Sequence, residues 1–318
     1  MLPILGGFKA ANVARRDIAK LHHDLRATPY QANRVLAVLG KMFTLAESWG
    51  IRPYGSNPCR GFEKFPEAKR ERMLSPVEIA TLGDSLAALD GSPYATAAIR
   101  LLLLTGARRS EILDLQWTWI DPARGEARLP DSKTGAKTIH LPPPTLEVLA
   151  DLPRVMGNPY VVAGVKKGAR LVNIAKPWAK VRAVATVKLW GASEDQAVAS
   201  LVADLLKQFG REPTIPECRA AAKNRQIKLP EGLERLRLHD LRHAFASTAA
   251  SSGMSLLIIG KILGHTQAST TQRYAHLQAD PVKAAAGAVA GKIADAMKGE
   301  AAGAKVVPLM RRDTHHGE

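Results

Sequence analysis

"LRLHDLRHAFAS", residues 236–247, sets an imidazole at His239 and a guanidinium at Arg242 three positions apart. Residues at that spacing share one face of a helix, while Leu238, Leu241 and Phe245 form a separate apolar stripe that faces a core. A helix of this pattern buries its leucines and leaves the polar pair to face something else. For this stretch alone, a solvated face with one histidine satisfied in the core is the simpler reading, so the rest of the chain has to decide.

Composition narrows the choice. The chain has 318 residues, with 45 Lys and Arg against 29 Asp and Glu, a formal charge of +16 and a pI near 10.0. That length fits two domains. The charge repels itself in the compact state and attracts polyanions, which leaves nucleic acid or an anionic membrane as partner. No apolar run approaches the roughly 18 residues of a membrane span; "IRLLLLTGAR" is too short. Met1 is not followed by a signal-type charged and apolar segment. Nucleic acid is therefore favoured over membrane, and the cytoplasm is the expected location. Cys59 and Cys218 make no disulfide framework and no metal-type spacing, as in a reducing compartment. His239 and His243 are spaced like a helical zinc pair, but no Glu follows the first histidine, and "DSKTGAKT" lacks the glycine pattern of a phosphate loop. No metal and no nucleotide cofactor are expected.

Residues 29–49 predict a long amphipathic helix with Ala32, Val35, Leu36, Leu39, Met42, Phe43 and Ala46 on its apolar side. Gln31, Asn33, Arg34 and Lys41 lie elsewhere on it and are candidates for DNA contact, with a solvated polar face as the alternative. The charged, proline-flanked run 57–74 predicts an interdomain linker, and Ser75-Pro76-Val77-Glu78 is a capping box that opens a new helix. Ser92-Pro93 starts another, ending at Gly106. Residues 126–141 predict a β-hairpin with Lys133 on its turn. Between Trp178 and Leu236, Ser193 to Gln196 and Thr214 to Glu217 predict two further capped helices, the first stopped by Gly210. Gly264 ends a helix before His265. Ser269 and Gln272 cap one whose first turns hold Tyr274, and Asp280-Pro281 starts an alanine-rich helix with Val282, Ala285, Ala286, Val289 and Ile293 on one face. The last dozen or so residues are polar, as in a disordered tail.

Five stretches then stand in order: "TGARRSEILDLQW" (105–117), "SKTG" (132–135), "HDLRH" (239–243), "LGH" (263–265) and "TTQRYAHL" (270–277). Each is weakly specific alone. As an ordered set over about 75–280 they resemble the tyrosine recombinases, the phage-integrase family. The resemblance implies a mainly α fold with a small antiparallel β-hairpin, an α+β catalytic domain preceded by a helical core-binding domain. It implies a partial core-binding DNA-binding domain over 1–66, a linker at 67–74 and a catalytic domain over 75–280 with a helical insertion at about 185–232. A C-terminal helix over 281–300, docking in trans or folding back, and a tail over 301–318 complete the expected organisation.

The family's two arginines fall on Arg108 and Arg242, its hairpin lysine on Lys133, its histidines on His239 and His265, and its nucleophile on Tyr274. A tyrosine hydroxyl can attack phosphorus and keep the bond energy in a covalent ester. Planar bidentate donors suit the charge that grows on the phosphate oxygens. On the resemblance, Lys133 protonates the leaving 5'-oxygen, His239 is the candidate base for the tyrosine proton, His265 bonds the phosphate, and Glu111 buttresses the site. Arg109 reads as a surface residue, His243 and His276 as structural. The implied function is site-specific recombination of duplex DNA through a 3'-phosphotyrosyl intermediate, in integration or excision of a mobile element or prophage, without ATP or divalent metal. The implied partner is a crossover site bound by a homo-tetramer, with a monomer in its absence and no membrane.

Two departures stand against the pattern. The start, "MLPILGGFKAANVARRDIAKLHHDL", resembles the middle of a core-binding domain, so an intact active site with weak site recognition is expected. The segment between Trp178 and Leu236 reads as a helical surface elaboration. Three alternatives remain open: a type IB topoisomerase with a similar residue set, a truncated DNA-binding remnant with little activity, and an RNA-binding protein, for which aromatic stacking motifs are missing.

Overall fold

The computed structural model describes residues 2–67, 72–131, 135–277 and 281–297. The chain forms two compact units, Met1–Glu71 and Arg72–Glu318. Lys133 and Asp280 lie outside the described residues, as do much of the predicted linker and all of the tail.

The first unit holds α1 (Leu2–Leu5), α2 (Arg15–Asp24) and α3 (Pro29–Ser48). Proline at the first position of α3 gives up an N–H that would be unpaired there in any case. The predicted stripe buries Leu36, Leu39 and Phe43 against Val13 and against Ile18 and Leu21 of α2. Met42, expected on the same side, is 55% exposed. Asn33 departs from its predicted place on the polar surface. It is buried, its amide donating to Phe65 O at 2.8 Å and Glu67 Oε1 at 2.8 Å, and its Oδ1 accepting from the Phe65 N–H at 3.0 Å. Those bonds tie the chain that leaves the unit back onto α3. They leave no donor of Asn33 for a phosphate, so the DNA-contact expectation fails at this position.

The second unit contains α4 (Pro76–Ala87), α5 (Pro93–Thr105) and α6 (Arg109–Leu113), then β1 (Ile120–Asp121), β2 (Glu126–Leu129) and β3 (Lys137–His140). Next come α7 (Pro143–Ala150), α8 (Ala175–Gly191), α9 (Gln196–Phe209) and α10 (Ile215–Asn224). The unit ends with α11 (Leu238–Ser251), α12 (Leu256–Leu263), α13 (Ala268–Gln272) and α14 (Pro281–Met297). Among the described residues the fold is mainly helical with one small antiparallel sheet, ordered β1-β2-β3. The hairpin pairs Ala127 with Ile139, both buried; the short β1 beside it is an addition to the predicted elements.

The predicted capping box is formed at Ser75, whose Oγ accepts the Glu78 N–H at 3.2 Å while Glu78 accepts the Ser75 N–H at 2.9 Å. Ile99 and Leu101 of α5, Leu82 and Leu86 of α4, Trp178 and Val181 of α8, and Leu241 and Ala244 of α11 meet in the main core. A second cluster joins Val187 and Trp190 at the far end of α8 to Val198, Leu201 and Leu205 of α9 and Ile215 and Cys218 of α10. The α9–α10 pair is thus held by a core of its own. Its first cap differs from the expected one: Asp195, not Ser193, caps α9, through Oδ1 accepting the Ala197 N–H at 3.0 Å. Tyr274 also differs, because α13 ends at Gln272 and the tyrosine sits in the turn before a 3-10 turn at Ala275–Leu277. Among the described residues no helix is long and apolar enough to cross a membrane.

Candidate active site

Helix α5 stops at Gly106, whose φ of +62° is the left-handed turn that glycine adopts without strain. The turn delivers Arg108 to the N-cap of α6. There Glu111 accepts twice from Arg108, from its backbone N–H at 2.8 Å and from Nη1 at 2.8 Å. Lys137, entering from β3, donates to Glu111 Oε2 at 2.8 Å and to Leu263 O at 3.2 Å. Arg242 of α11 is 4% exposed and donates to Gly106 O and Leu263 O, each at 2.8 Å. Arg108 Nη2 reaches Gly264 O at 3.4 Å. The end of α12 explains this convergence: its last carbonyls lack intrahelical partners and carry the negative end of the helix dipole, so cations gather there.

Three cations, Arg108, Arg242 and Lys137, surround one carboxylate, Glu111, so the cluster keeps a positive excess that an anion neutralises. Burial raises the Glu111 carboxyl, but the Lys137 and Arg108 hydrogen bonds outweigh it and hold the group below its ordinary value, ionised. Burial lowers the Lys137 ammonium, with the Glu111 bond opposing. Arg242 is lowered by burial and then by Arg108.

Gly264 (φ +69°) turns the chain out of α12 with Lys137 packed across it; an added Cβ would meet Lys137 Cε at 3.1 Å. The turn presents His265, whose Nδ1 lies 2.8 Å from the hydroxyl of buried Thr271. Burial, then Arg242, pushes the His265 imidazole down to about 4, so it is neutral near pH 7. A neutral ring that accepts at Nδ1 carries its proton on Nε2 and can donate from there.

Tyr274 is 6% exposed and packs with Ala246, Ala250, Ile259 and Leu263. Its backbone N–H donates to Thr271 O at 3.0 Å. Burial raises the phenol above its ordinary value, with Arg273 and Arg242 opposing, and the hydroxyl hydrogen-bonds to His243 Nδ1. His243 is pushed down to about 4 by burial, then by Arg273, so the ring is neutral near pH 7; in the tautomer with its proton on Nε2, Nδ1 accepts from the phenol. His239 stands edge-on to His243, ring centroids 5.0 Å apart at 86°. It is solvent-facing, with partial desolvation and then Arg242 holding it below its ordinary value.

Arg108, Glu111, Arg242, His239, His265 and Tyr274, scattered over the chain, thus share one region of the second unit. Arg242 is anchored in the interior rather than solvated beside His239. Arg109 is exposed, as expected. Two participants escaped the sequence reading, His243 and Lys137. A signal existed for each: His243 is one turn past His239, and Lys137 shares the inward face of β3 with buried Ile139. In the first unit Gln31, Arg34 and Lys41 are exposed on α3.

Residues 208–280 match the model of the phage integrase family. The chain is 28% identical over 250 residues to the integrase of Escherichia phage P2, covering 78% of this chain and 56% of that protein. It is 38% identical over 60 residues to tyrosine recombinase XerC of Treponema denticola, covering 19% of this chain and 20% of the relative. These matches span a fifth to little more than half of those relatives' lengths. The fold resembles that of a lambda integrase dimer bound to a COC' core site, with a TM-score of 0.57 at 16% identity over 87% of this chain and 85% of that one. Ordered motifs, mainly helical fold and matching relatives agree in their resemblance to the phage integrase family of tyrosine recombinases, whose model the chain matches over residues 208–280.

Proposed function

We propose that the chain is a site-specific DNA recombinase that cuts and rejoins duplex DNA through a 3'-phosphotyrosyl link to Tyr274, serving integration or excision of a mobile element or prophage. The observation that carries the reading is the convergence of Arg108, Arg242 and Lys137 on Glu111 and the Leu263–Gly264 carbonyls, in the same unit as a buried, hydrogen-bonded tyrosine. A surplus of fixed positive charge suits a phosphodiester, whose nonbridging oxygens gain charge as phosphorus becomes five-coordinate. Bonds to Glu111 and to backbone carbonyls hold both guanidiniums before substrate arrives, so little reorganisation remains for the reaction itself.

In this reading Tyr274 Oη attacks phosphorus, Arg108 and Arg242 clamp the phosphate, His265 donates from Nε2 to an equatorial oxygen, and Lys133 gives the leaving 5'-oxygen its proton. His239 completes the set at the solvent-facing rim. The phosphotyrosyl ester retains the energy of the broken bond, so a second 5'-hydroxyl reverses the step without ATP or divalent metal. The first unit contributes DNA contacts through Gln31, Arg34 and Lys41. Strand exchange joins several protomers, a tetramer, on paired crossover sites, and the protein acts on chromosomal or phage DNA in the cytoplasm.

The test is a covalent-adduct assay in EDTA, with a nicked duplex carrying a junction of the element that encodes the chain. An adduct from the native protein and none from Tyr274→Phe is expected. No adduct from native protein that binds the duplex would favour an inactive DNA-binding remnant.

A further inference from the structure

We propose that His243 is the proton acceptor for Tyr274 during strand cleavage, an inference that rests on Tyr274 being the nucleophile. The stretch "HDLRH" ends on this histidine, to which the resemblance gives no chemical role, yet the hydroxyl of Tyr274 hydrogen-bonds to its Nδ1. At 6% exposure the tyrosine has little access to a solvent base, so its proton must leave through a neighbouring group. His239 contacts His243 edge-on rather than the phenol, which puts it one ring further from the reacting oxygen. A single helix, α11, therefore carries both a guanidinium of the phosphate clamp, Arg242, and in the next residue the imidazole that receives the nucleophile's proton.

The phenolic oxygen forms a bond to phosphorus as its proton passes to His243 Nδ1, giving an imidazolium with Nε2 already protonated. The bond from phosphorus to the 5'-oxygen breaks, and that oxygen takes the proton assigned to Lys133. On rejoining, a 5'-hydroxyl attacks phosphorus and gives its proton back to Lys133, the phenolic oxygen leaves, and the imidazolium returns its proton to it.

Arg273, Arg242, His239 and Asp240 are the charged and titratable groups that act on His243. Their balance is positive, which suppresses the imidazolium in the empty site. A bound phosphate adds negative charge and makes the ring a better base only with substrate in place. The arrangement keeps the phenol protonated until DNA is clamped.

The experiment compares single-turnover cleavage of the same nicked duplex by native protein, Tyr274→Phe, His243→Asn and His239→Asn, each with either tyrosine or the more acidic 3-fluorotyrosine at position 274 except in Tyr274→Phe. Asparagine at 243 places an acceptor oxygen near the Nδ1 position but takes up no proton. His243→Asn should bind the duplex and melt like the native protein, cleave about 100-fold more slowly, and regain roughly tenfold with 3-fluorotyrosine. Cleavage by His243→Asn within about threefold of native would reduce His243 to positioning and overturn the proposal. Recovery by 3-fluorotyrosine in His239→Asn instead would assign the proton to His239 and overturn it equally. A covalent adduct from Tyr274→Phe would sink the proposed nucleophile and this inference together, whereas the first two failures leave that nucleophile intact. If His243→Asn does not fold, His243→Gln repeats the comparison.

Discussion

Arg242 illustrates how much one side chain is asked to do. Its two terminal nitrogens bridge Gly106 O and Leu263 O, carbonyls from the ends of α5 and α12, and a lysine, with one point of charge, cannot span both. Arg242→Lys is expected to lower the cleavage rate about 10²–10³-fold, the range for loss of a transition-state donor, with duplex affinity changed far less; single-turnover rates and a binding isotherm on the same duplex separate the two. Lys137→Met should tell the same story through Glu111. It leaves a buried carboxylate hydrogen-bonded to Arg108, with Arg242 nearby, and a lower melting temperature than native is the expected result. The histidines set a pH dependence of stability. His243 and His265 bind protons at about 4 in the folded chain against an ordinary value of 6.5, so between those limits the unfolded chain holds more protons. Stability accordingly rises with pH across that window and is lost as pH falls through it. Melting temperatures measured from pH 7 to 4.5 should fall, and the fall should be shallower in His243→Gln.

At the scale of elements, the site depends on helix ends more than helix faces. Gly106 and Gly264 terminate α5 and α12 in left-handed turns, and the carbonyls just inside those turns hold the arginines. A Cβ at Gly106 would lie 2.8 Å from both Leu263 Cδ2 and Phe245 Cδ1, besides straining the backbone. Gly106→Ala should therefore destabilise the second unit and disturb Arg108 and Arg242 together, seen as a lower melting temperature and slower cleavage. The α9–α10 pair behaves differently, because its apolar residues pack in a separate cluster at the end of α8. Leu201→Ala is expected to cost about 2–5 kcal/mol of local stability while the folded protein cleaves at the native rate. A cleavage defect at full occupancy of the fold would mean that the pair does more than elaborate the surface.

For the molecule as a whole, charge is the dominant property. With a formal +16, the proposed duplex binding would have a large counterion-release component, and affinity should drop about 10³-fold between roughly 50 and 200 mM salt if several phosphates are neutralised. A flat salt response would argue against a backbone-tracking surface.

The sequence by itself determined the elements and the chemistry of their ends. Capping at Ser75, the stops at Gly106, Gly210 and Gly264, the hairpin over 126–141 and the apolar stripe of α3 all follow from local rules of hydrogen bonding, backbone freedom and periodicity. The ordered motifs carried the resemblance to the family and, with it, the expectation of Arg108, Lys133, His239, Arg242, His265 and Tyr274 as site residues. Only the tertiary structure decided the partners. Asn33 read as a surface residue until the Phe65 backbone closed over it, Lys137 carried no reading until β3 brought it under Gly264, and His243 read as structural until the turn after α13 laid Tyr274 against it. The physical reason is the same in each case. A polar side chain at a helical or strand position is equally compatible with water and with a buried partner, and the partner is supplied by a segment tens of residues away whose approach no local period records.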